Sequence, residues 1–138
     1  MKIIFVCTGN TCRSPLAEAI AKDLMPDYEI HSRGISAFNG APISQQSMDI
    51  ILENNLPIPE SAQQFSDADL DADLILTMTE NHKSILQSMY EHKNIDSLKH
   101  YTSGKAGDVV DPIGQQIGVY RNTYEEIKKL IIELLQSN

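Results

Sequence analysis

Residues 3–16 read IIFVCTGNTCRSPL, and they predict the first structural unit of the chain. Five apolar residues, Ile3–Cys7, indicate a short buried strand, and the turn-prone run Thr8–Thr11 follows it. Ser14 then suits a helix N-cap, and Pro15 suits the first helical position, where a missing N–H costs nothing. Apolar residues continue at helical spacing at Leu16, Ala17, Ile20, Ala21 and Leu24. The stretch therefore predicts a strand, a tight loop and a helix, with a thiol where the strand ends and an arginine where the helix begins.

This strand–loop–helix unit has the geometry of an anion site. Backbone N–H groups of a loop that curls into a helix N-terminus converge on one point, and the helix dipole adds partial positive charge there. Arg13 adds a planar fork of donors that matches phosphate oxygens. The same field favours the thiolate form of Cys7. A thiolate beneath a phosphate cradle is a nucleophile directed at phosphorus, so these residues predict phosphoryl transfer through cysteine.

The composition is that of an ordinary single globular domain, with 138 residues, 41% hydrophobic and 22% charged. The net charge of −8 disfavours binding to nucleic acid. The sequence has no transmembrane run, and Ile3–Cys7 is too short for a signal-peptide core. Two cysteines do not make a disulfide framework, and a free nucleophilic thiol suits a reducing compartment. We therefore expect a cytoplasmic protein that binds neither nucleic acid nor membrane. We also expect a monomer, although none of these features defines the oligomeric state.

Strands and helices alternate along the rest of the chain. The predicted strands are Tyr28–Ser32, Leu74–Met78 and a weaker Ile95–Leu98. The predicted helices are Pro15–Met25, Ile43–Asn55, one that begins after an N-cap at Thr79, and one whose apolar stripe runs from Ile117 to Leu134. Ser66–Asp69 indicates a capped helical turn, and Ser103–Asp108 a surface loop. Such alternation implies a parallel sheet whose carboxyl edge carries the first loop and the ligand.

Histidines and metal ligands give no further site. The four histidines, His31, His82, His92 and His100, are scattered along the chain, and we expect them to face solvent or lie in loops. The sequence therefore predicts no metal site, and cysteine-based phosphoryl transfer needs no cofactor.

The segment VCTGNTCRSP carries the pattern Cys-x5-Arg-Ser at Cys7–Ser14, and it resembles the signature loop of the low molecular weight protein tyrosine phosphatases. The preceding strand and the following Ser-Pro separate this pattern from a structural cysteine beside a chance arginine. The resemblance implies a single phosphatase domain over residues 1–138. It also implies an α/β fold, with a four-stranded parallel sheet, helices on both faces, and the phosphate loop between the first strand and the first helix.

The resemblance also implies catalytic roles. Cys7 would attack phosphorus and form a phosphocysteine, while Arg13 and the loop N–H groups hold the equatorial oxygens. The family carries an Asp-Pro general acid before its last helix, which corresponds to Asp111 here, although Asp-Pro is also common in ordinary turns. The remaining loop residues would bind phosphate: Thr8, Gly9, Asn10, Thr11, Cys12 and Ser14.

Three of these loop residues have additional expected roles. The Ser14 hydroxyl can reach the Cys7 sulfur and ease its departure in the second step. Asn10 tolerates a left-handed backbone and can brace the loop, or it is a plain turn former. Cys12 could trap an oxidised Cys7 as a disulfide, as the second cysteine of the family does, or it is a small packing residue.

Two positions bear on the substrate. Thr11 stands where tyrosine-directed members usually carry Ile or Leu, and Ile113 stands where they usually carry an aromatic wall. Thr11 in this loop resembles the bacterial branch that acts on protein arginine. A phosphoarginine side chain is planar, polar and cationic, and it suits a hydroxyl and a carboxylate better than an apolar wall. We expect an enzyme that hydrolyses phosphoarginine in phosphorylated proteins, with phosphotyrosine as the alternative.

Two further classes share parts of this pattern. Thiol-dependent arsenate reductases have the same fold and loop, but they need further cysteines downstream, and this chain has none after Cys12. A phosphoryl carrier or phosphate-sensing module could use the same loop without an enzyme's general acid. Such a carrier would stop after one phosphate per Cys7, whereas an enzyme would turn over.

Overall fold

A parallel sheet with strand order β2-β1-β3-β4 forms the centre of the computed structural model, which describes residues 1–136. The strands are β1 Lys2–Cys7, β2 Glu29–Gly34, β3 Leu74–Thr77 and β4 Ile95–Ser97. The helices are α1 Arg13–Leu24, α2 Gln45–Glu53, α3 Glu80–Met89, α4 Leu98–Ser103 and α5 Ile117–Gln136, with a 3-10 helix at Asp67–Asp71. The predicted α/β fold with a four-stranded parallel sheet is confirmed. The predicted domain of residues 1–138 includes Ser137 and Asn138, which lie outside the described residues.

Both faces of β1 are buried because successive side chains of a strand point to opposite sides. Ile3 and Phe5 pack into a core with α1, α2, α4 and α5 on one face. Ile4 and Val6 pack with Leu86 of α3 and with the segment around the 3-10 helix on the other face. Helices therefore cover both faces of the sheet, as expected. None of the helices within residues 1–136 combines the length and the apolar character that crossing a bilayer requires.

The start of α1 differs from the prediction. The helix begins at Arg13 with Cys12 in the cap position, so Ser14 is not the N-cap and Pro15 is the third helical residue. The reason is that the Ser14 hydroxyl contacts the Cys7 sulfur and the Asn10 amide instead of capping the helix. The predicted cap at Thr79 is confirmed, since its hydroxyl accepts a hydrogen bond from the backbone N–H of His82.

Helix α4 was not predicted. The sequence predicts a strand that ends at Leu98 and a surface loop that begins at Ser103, whereas Leu98–Ser103 is helical with its cap at Ser97. Six residues are too few to show a helical period in the sequence.

The carboxyl end of β1 lies against the end of β2, where Cys7 pairs with Gly34. A Cβ at Gly34 would lie 2.5 Å from the Thr8 carbonyl oxygen and 3.0 Å from the Asn10 backbone nitrogen. Only glycine therefore lets the loop after β1 pack directly on β2. This contact fixes the position of the loop relative to the carboxyl edge of the sheet.

Candidate active site

The loop between β1 and α1 is held by the side chain of Asn10, which has a left-handed backbone with φ of 57°. Its Nδ2 donates to the hydroxyls of Ser14 (2.8 Å) and Ser32 (2.9 Å). Its Oδ1 accepts from the backbone N–H of Gln63 at 2.9 Å. One buried amide thus joins the loop to α1, to β2 and to a distant segment, which makes the loop a preorganised cradle.

The sulfur of Cys7 lies at the floor of this loop, buried, with the Ser14 hydroxyl 2.9 Å away. The Ser14 oxygen already accepts a hydrogen bond from Asn10, so its own hydrogen is available to the sulfur. The other acceptor near this hydroxyl, the Arg33 carbonyl, is more distant at 3.4 Å. The arrangement stabilises negative charge on the sulfur, both as an attacking thiolate and as a leaving group.

A second polar layer behind the loop was not predicted. Ser32 donates to Glu18 at 2.5 Å, and the other carboxylate oxygen of Glu18 accepts from Lys22 at 2.7 Å. Glu18 is 4% exposed, so the chain Lys22–Glu18–Ser32–Asn10 runs through the interior to the cradle. The sequence feature that could have indicated this layer is Glu18, a glutamate among the apolar residues on the inner face of α1.

Arg13 places its guanidinium between the cradle and the segment before α5. Nη1 donates to the Val109 carbonyl at 3.0 Å, and Nη2 lies 3.5 Å from the Asp111 carboxylate. Arg13 is buried, whereas the Asp111 side chain is 45% exposed and accepts from the backbone N–H of Ile113. The hydrogen bond to Val109 therefore fixes Arg13 in the interior, while the Asp111 carboxylate lies at the mouth of the site, where an incoming group can reach it.

The segment that carries Asp111 is anchored before the acid. Asp108 accepts from the Glu80 backbone N–H at 2.8 Å, and the Val109 N–H donates to the Met78 carbonyl at 2.8 Å. These two hydrogen bonds, at Asp108 and Val109, separate the glycine-containing stretch 104–107 from Asp111 along the chain. This geometry holds the carboxylate over the cradle without a large loop movement.

These elements enclose a cleft of about 140 Å³. It is lined by Cys7, Thr8, Gly9, Thr11, Cys12, Arg13, Asp111 and Ile113. The structure thus brings together the three predicted catalytic residues and most of the predicted phosphate-binding residues. Asn10 and Ser14 do not line the cleft but support it from behind. A buried thiol at the floor, a buried guanidinium in the wall and a carboxylate at the mouth form a site suited to phosphoryl transfer.

The family model described as low molecular weight phosphotyrosine protein phosphatase matches residues 2–137. The chain belongs to this family. It is a cysteine-dependent phosphatase.

Individual relatives agree on the fold and family. The low molecular weight protein-tyrosine-phosphatase PtpB of Staphylococcus haemolyticus is 51% identical, with 97% of each chain covered. The YwlE arginine phosphatase of Geobacillus stearothermophilus superposes with a TM-score of 0.94 at 34% identity, over 99% of this chain and 91% of that one. A YwlE mutant with a phosphorylated active-site serine superposes with a TM-score of 0.95 at 33% identity, over 99% of this chain and 95% of that one.

Cys12 of the phosphatase lies in the wall of the cleft that Cys7 also lines. Its sulfur is 3.7 Å from the Tyr120 hydroxyl and 3.8 Å from the Thr11 hydroxyl. Burial and the contact with Cys12 raise the pKa of Tyr120, so the phenol stays protonated and can donate to the sulfur. Both Cys7 and Cys12 are free thiols. A redox role for the pair stays a prediction.

The prediction that His82 faces solvent or lies in a loop is wrong. His82 lies in the first turn of α3 and is 3% exposed, with Nε2 2.9 Å from the Thr8 hydroxyl. The capped start of α3 directs the ring behind the phosphate loop, which an isolated histidine in the sequence does not reveal. Within the described part of the chain, residues 1–136, no group of three or more His, Cys, Asp or Glu side chains could hold a metal ion.

The buried histidine should make the stability of the phosphatase depend on pH. Burial and then the charge of Arg13 lower the pKa of His82 from 6.5 to about 4, against smaller opposing effects of Asp108 and Asp111. As pH falls below 6.5 the unfolded chain takes up a proton that the folded protein resists, so the free energy of unfolding decreases until about pH 4. We expect His82 to account for a loss of about 2 kcal/mol between roughly pH 7.5 and pH 5.

Urea unfolding of the wild type and of His82→Gln across this range measures the effect. Glutamine does not titrate, and the remaining ionisable groups are common to both proteins. The difference between the two unfolding free energies should therefore change by the expected amount as pH falls. Parallel curves for the two proteins would contradict a depressed pKa for His82.

Proposed function

We propose that the phosphatase hydrolyses phosphoarginine in proteins through a phosphocysteine formed at Cys7. The observation that carries this proposal is the lining of the cleft mouth, where the hydroxyl of Thr11 and the carboxylate of Asp111 are present and, among residues 1–136, no aromatic side chain takes part. Phosphorylated proteins are the substrates, and the whole chain acts as one domain in the cytoplasm.

In the first step the Cys7 thiolate attacks phosphorus, an S–P bond forms and the P–N bond to arginine breaks. The backbone N–H groups of the loop and the Arg13 guanidinium hold the three equatorial oxygens, with the strongest interaction in the transition state. Asp111 gives its proton to the departing nitrogen, so arginine leaves protonated. The exposed position of the Asp111 carboxylate at the cleft mouth supports this role.

In the second step water attacks the phosphocysteine, and Asp111, now a carboxylate, accepts the proton of that water. The S–P bond breaks and the sulfur leaves as a thiolate. The Ser14 hydroxyl, 2.9 Å from the sulfur, stabilises this leaving group with its hydrogen bond. The cycle returns the site to its starting state without a cofactor.

The chemistry of the cleft mouth supports phosphoarginine. A guanidinium presents N–H donors in a plane and needs acceptors, which the Thr11 hydroxyl and the Asp111 carboxylate provide. A phenyl ring would need an apolar or aromatic wall, and Ile113, 63% exposed, is the large apolar side chain among the lining residues. The close superposition with the YwlE arginine phosphatase is in line with this reading.

Phosphotyrosine is the second candidate, because the relatives of higher sequence identity have names that point to it. The PtpB proteins of Staphylococcus haemolyticus and Staphylococcus aureus, named as protein-tyrosine phosphatases, are 51% and 46% identical to this chain. The two candidates share the nucleophile, the cradle and the acid. They differ in the group that the substrate presents to the side chain at position 11, a guanidinium for phosphoarginine and a phenyl ring for phosphotyrosine.

Thr11→Ile tests the choice between them. Isoleucine adds apolar contact for a phenyl ring, worth about 1–2 kcal/mol, and removes a hydrogen-bond partner of a guanidinium at a cost of about 1–3 kcal/mol. The effects have opposite sign, so the ratio of kcat/KM for phosphoarginine over phosphotyrosine peptides should fall about 10²-fold.

Thr11→Ser is the matched control, because it keeps the hydroxyl and should keep the preference of the wild type. Peptides of identical sequence that carry either phosphoresidue provide the measurement. An unchanged preference in Thr11→Ile would remove the main support for phosphoarginine.

The proposal extends to oxidation of the site. Peroxide would oxidise the Cys7 thiolate to a sulfenic acid, and the Cys12 thiol would attack that sulfur, release water and form a disulfide. The two free thiols line the same cleft, which supports this pairing. A reductant would then restore the Cys7 thiol.

A further inference from the structure

His82 is a buried ionisable side chain with no part in the reaction described above. Its backbone N–H donates to the Thr79 hydroxyl at 3.0 Å in the first turn of α3, and the ring lies behind the phosphate loop. Nε2 is 2.9 Å from Oγ1 of Thr8, the residue that follows the nucleophile. Nδ1 is buried and has no hydrogen-bond partner among residues 1–136. This contact joins α3 directly to the wall of the cleft.

The environment of the ring defines its protonation. The charged groups that act on it are Arg13 from α1 and Asp108 and Asp111 from the segment before α5, and burial together with Arg13 keeps the ring neutral at physiological pH. A neutral imidazole carries a single N–H. On Nδ1 that hydrogen would be a buried donor without an acceptor, which is rarer in folded proteins than an unpaired acceptor. The hydrogen therefore lies on Nε2, and His82 donates to Thr8.

This direction of the hydrogen bond decides what the Thr8 hydroxyl can do. Because its oxygen accepts from His82, its own hydrogen is available to another group. Within residues 1–136 the His82 ring nitrogen is the hydrogen-bond partner of this hydroxyl, and because that nitrogen is the donor, no acceptor there takes up the hydroxyl hydrogen. Thr8 also lines the cleft together with Cys7 and Arg13, where the phosphoryl oxygens would lie.

We propose that His82 is a positioning residue that directs the Thr8 hydroxyl into the cleft, where it donates a hydrogen bond to the transferring phosphoryl group. Thr8 thereby adds a side-chain donor to the backbone N–H groups and the Arg13 guanidinium. His82 does not line the cleft, so it acts through Thr8 alone. This inference rests on the proposed phosphoryl transfer at Cys7, but it is independent of the choice between phosphoarginine and phosphotyrosine.

The test measures kcat/KM on a small aryl phosphate and the inhibition constant of inorganic phosphate. Thr8→Val keeps the branched shape and removes the hydroxyl, while His82→Phe keeps a ring and removes the donor. Each variant should lower kcat/KM and weaken phosphate binding about tenfold, the effect of one hydrogen bond to a charged group. The double variant should lose no more than either single variant, because the two side chains act as one unit.

Two further variants separate this role from a structural one. His82→Gln carries an amide N–H near the position of Nε2 and should restore kcat/KM to within about threefold of the wild type, whereas the shorter His82→Asn should not. Equal impairment of the two amides would overturn the proposal. The Thr8 side chain is exposed, so Thr8→Val remains a valid test even if His82→Phe does not fold.

Two other results would also overturn it. One is full activity and full phosphate affinity in Thr8→Val. The other is a loss of about 10²-fold in the double variant, which would mean that the two side chains act independently. A wild type that hydrolyses the aryl phosphate but not phosphoarginine would disprove the substrate assignment and leave this test intact.

Discussion

Cys7→Ser should reduce turnover of a small aryl phosphate by about 10⁴-fold while phosphate still binds. A serine hydroxyl is a far weaker nucleophile than a thiolate, and its alkoxide is a poor leaving group. This change leaves the buried Arg13, the Thr8 side chain and the backbone of the loop in place, and these are the groups proposed to hold phosphate. Any phosphoryl group that is transferred should remain on the serine, as in the YwlE mutant whose active-site serine is phosphorylated.

Steady-state kinetics and intact-protein mass spectrometry after incubation with substrate measure both effects. Cys12→Ser is the matched control, since it makes the same replacement in the wall of the same cleft. Under reducing conditions it should stay within about tenfold of the wild type, because it does not attack phosphorus. Turnover near the wild-type rate in Cys7→Ser would disprove the proposed nucleophile.

Asp111→Asn should slow the enzyme by about 10²–10⁴-fold on substrates with basic leaving groups and very little on activated aryl phosphates. Asparagine keeps the shape and the oxygen that accepts from the Ile113 N–H, but it cannot protonate the departing atom. Phosphoarginine should suffer most, because its leaving guanidine is the most basic of these groups. The measurement is kcat/KM across a series of aryl phosphates that differ in the pKa of the phenol.

Asp108→Asn is the control for this experiment. Its carboxylate is in the same segment but is bound to the Glu80 backbone N–H, away from the cleft lining. Its dependence on the leaving group should therefore parallel that of the wild type. If Asp111→Asn lowered kcat/KM equally across the series, Asp111 would have a structural role rather than that of a general acid.

The local parts of the site could be predicted from sequence because they depend on neighbouring residues. The strand, the turn-prone loop and the helix around Cys7–Pro15 are adjacent in the chain, and each has its own propensity. The Asp-Pro pair and the family resemblance indicated Asp111, whose side chain lines the cleft, and its role as a general acid stays a prediction. The alternation of strands and helices likewise predicted a parallel sheet with its ligand edge at the end of β1.

The supporting shell could not be predicted because its contacts join distant residues. Thr8 and His82 form a hydrogen bond although they are 74 positions apart in the sequence, and Arg13 and Val109 do so at a separation of 96. Neither pair has a spacing or a motif that marks it, since only the packing of α3 and of the segment before α5 brings the partners together. The same holds for Glu18. The sequence indicates only a polar residue of a helix, and its hydrogen bond with Ser32 is visible only in the folded structure.

The Asn10 side chain, with its bonds to Ser14, Ser32 and Gln63, has a consequence for how this active site could be transferred between proteins. A graft of the strand, loop and first helix onto another scaffold would carry the whole Cys-x5-Arg pattern. It would leave behind the Ser32 hydroxyl and the Gln63 backbone N–H, which bind Asn10, and the Val109 carbonyl, which fixes Arg13. The contacts that hold the loop and Arg13 therefore extend from β1 to the segment before α5, and a fragment that ends at the first helix lacks most of them.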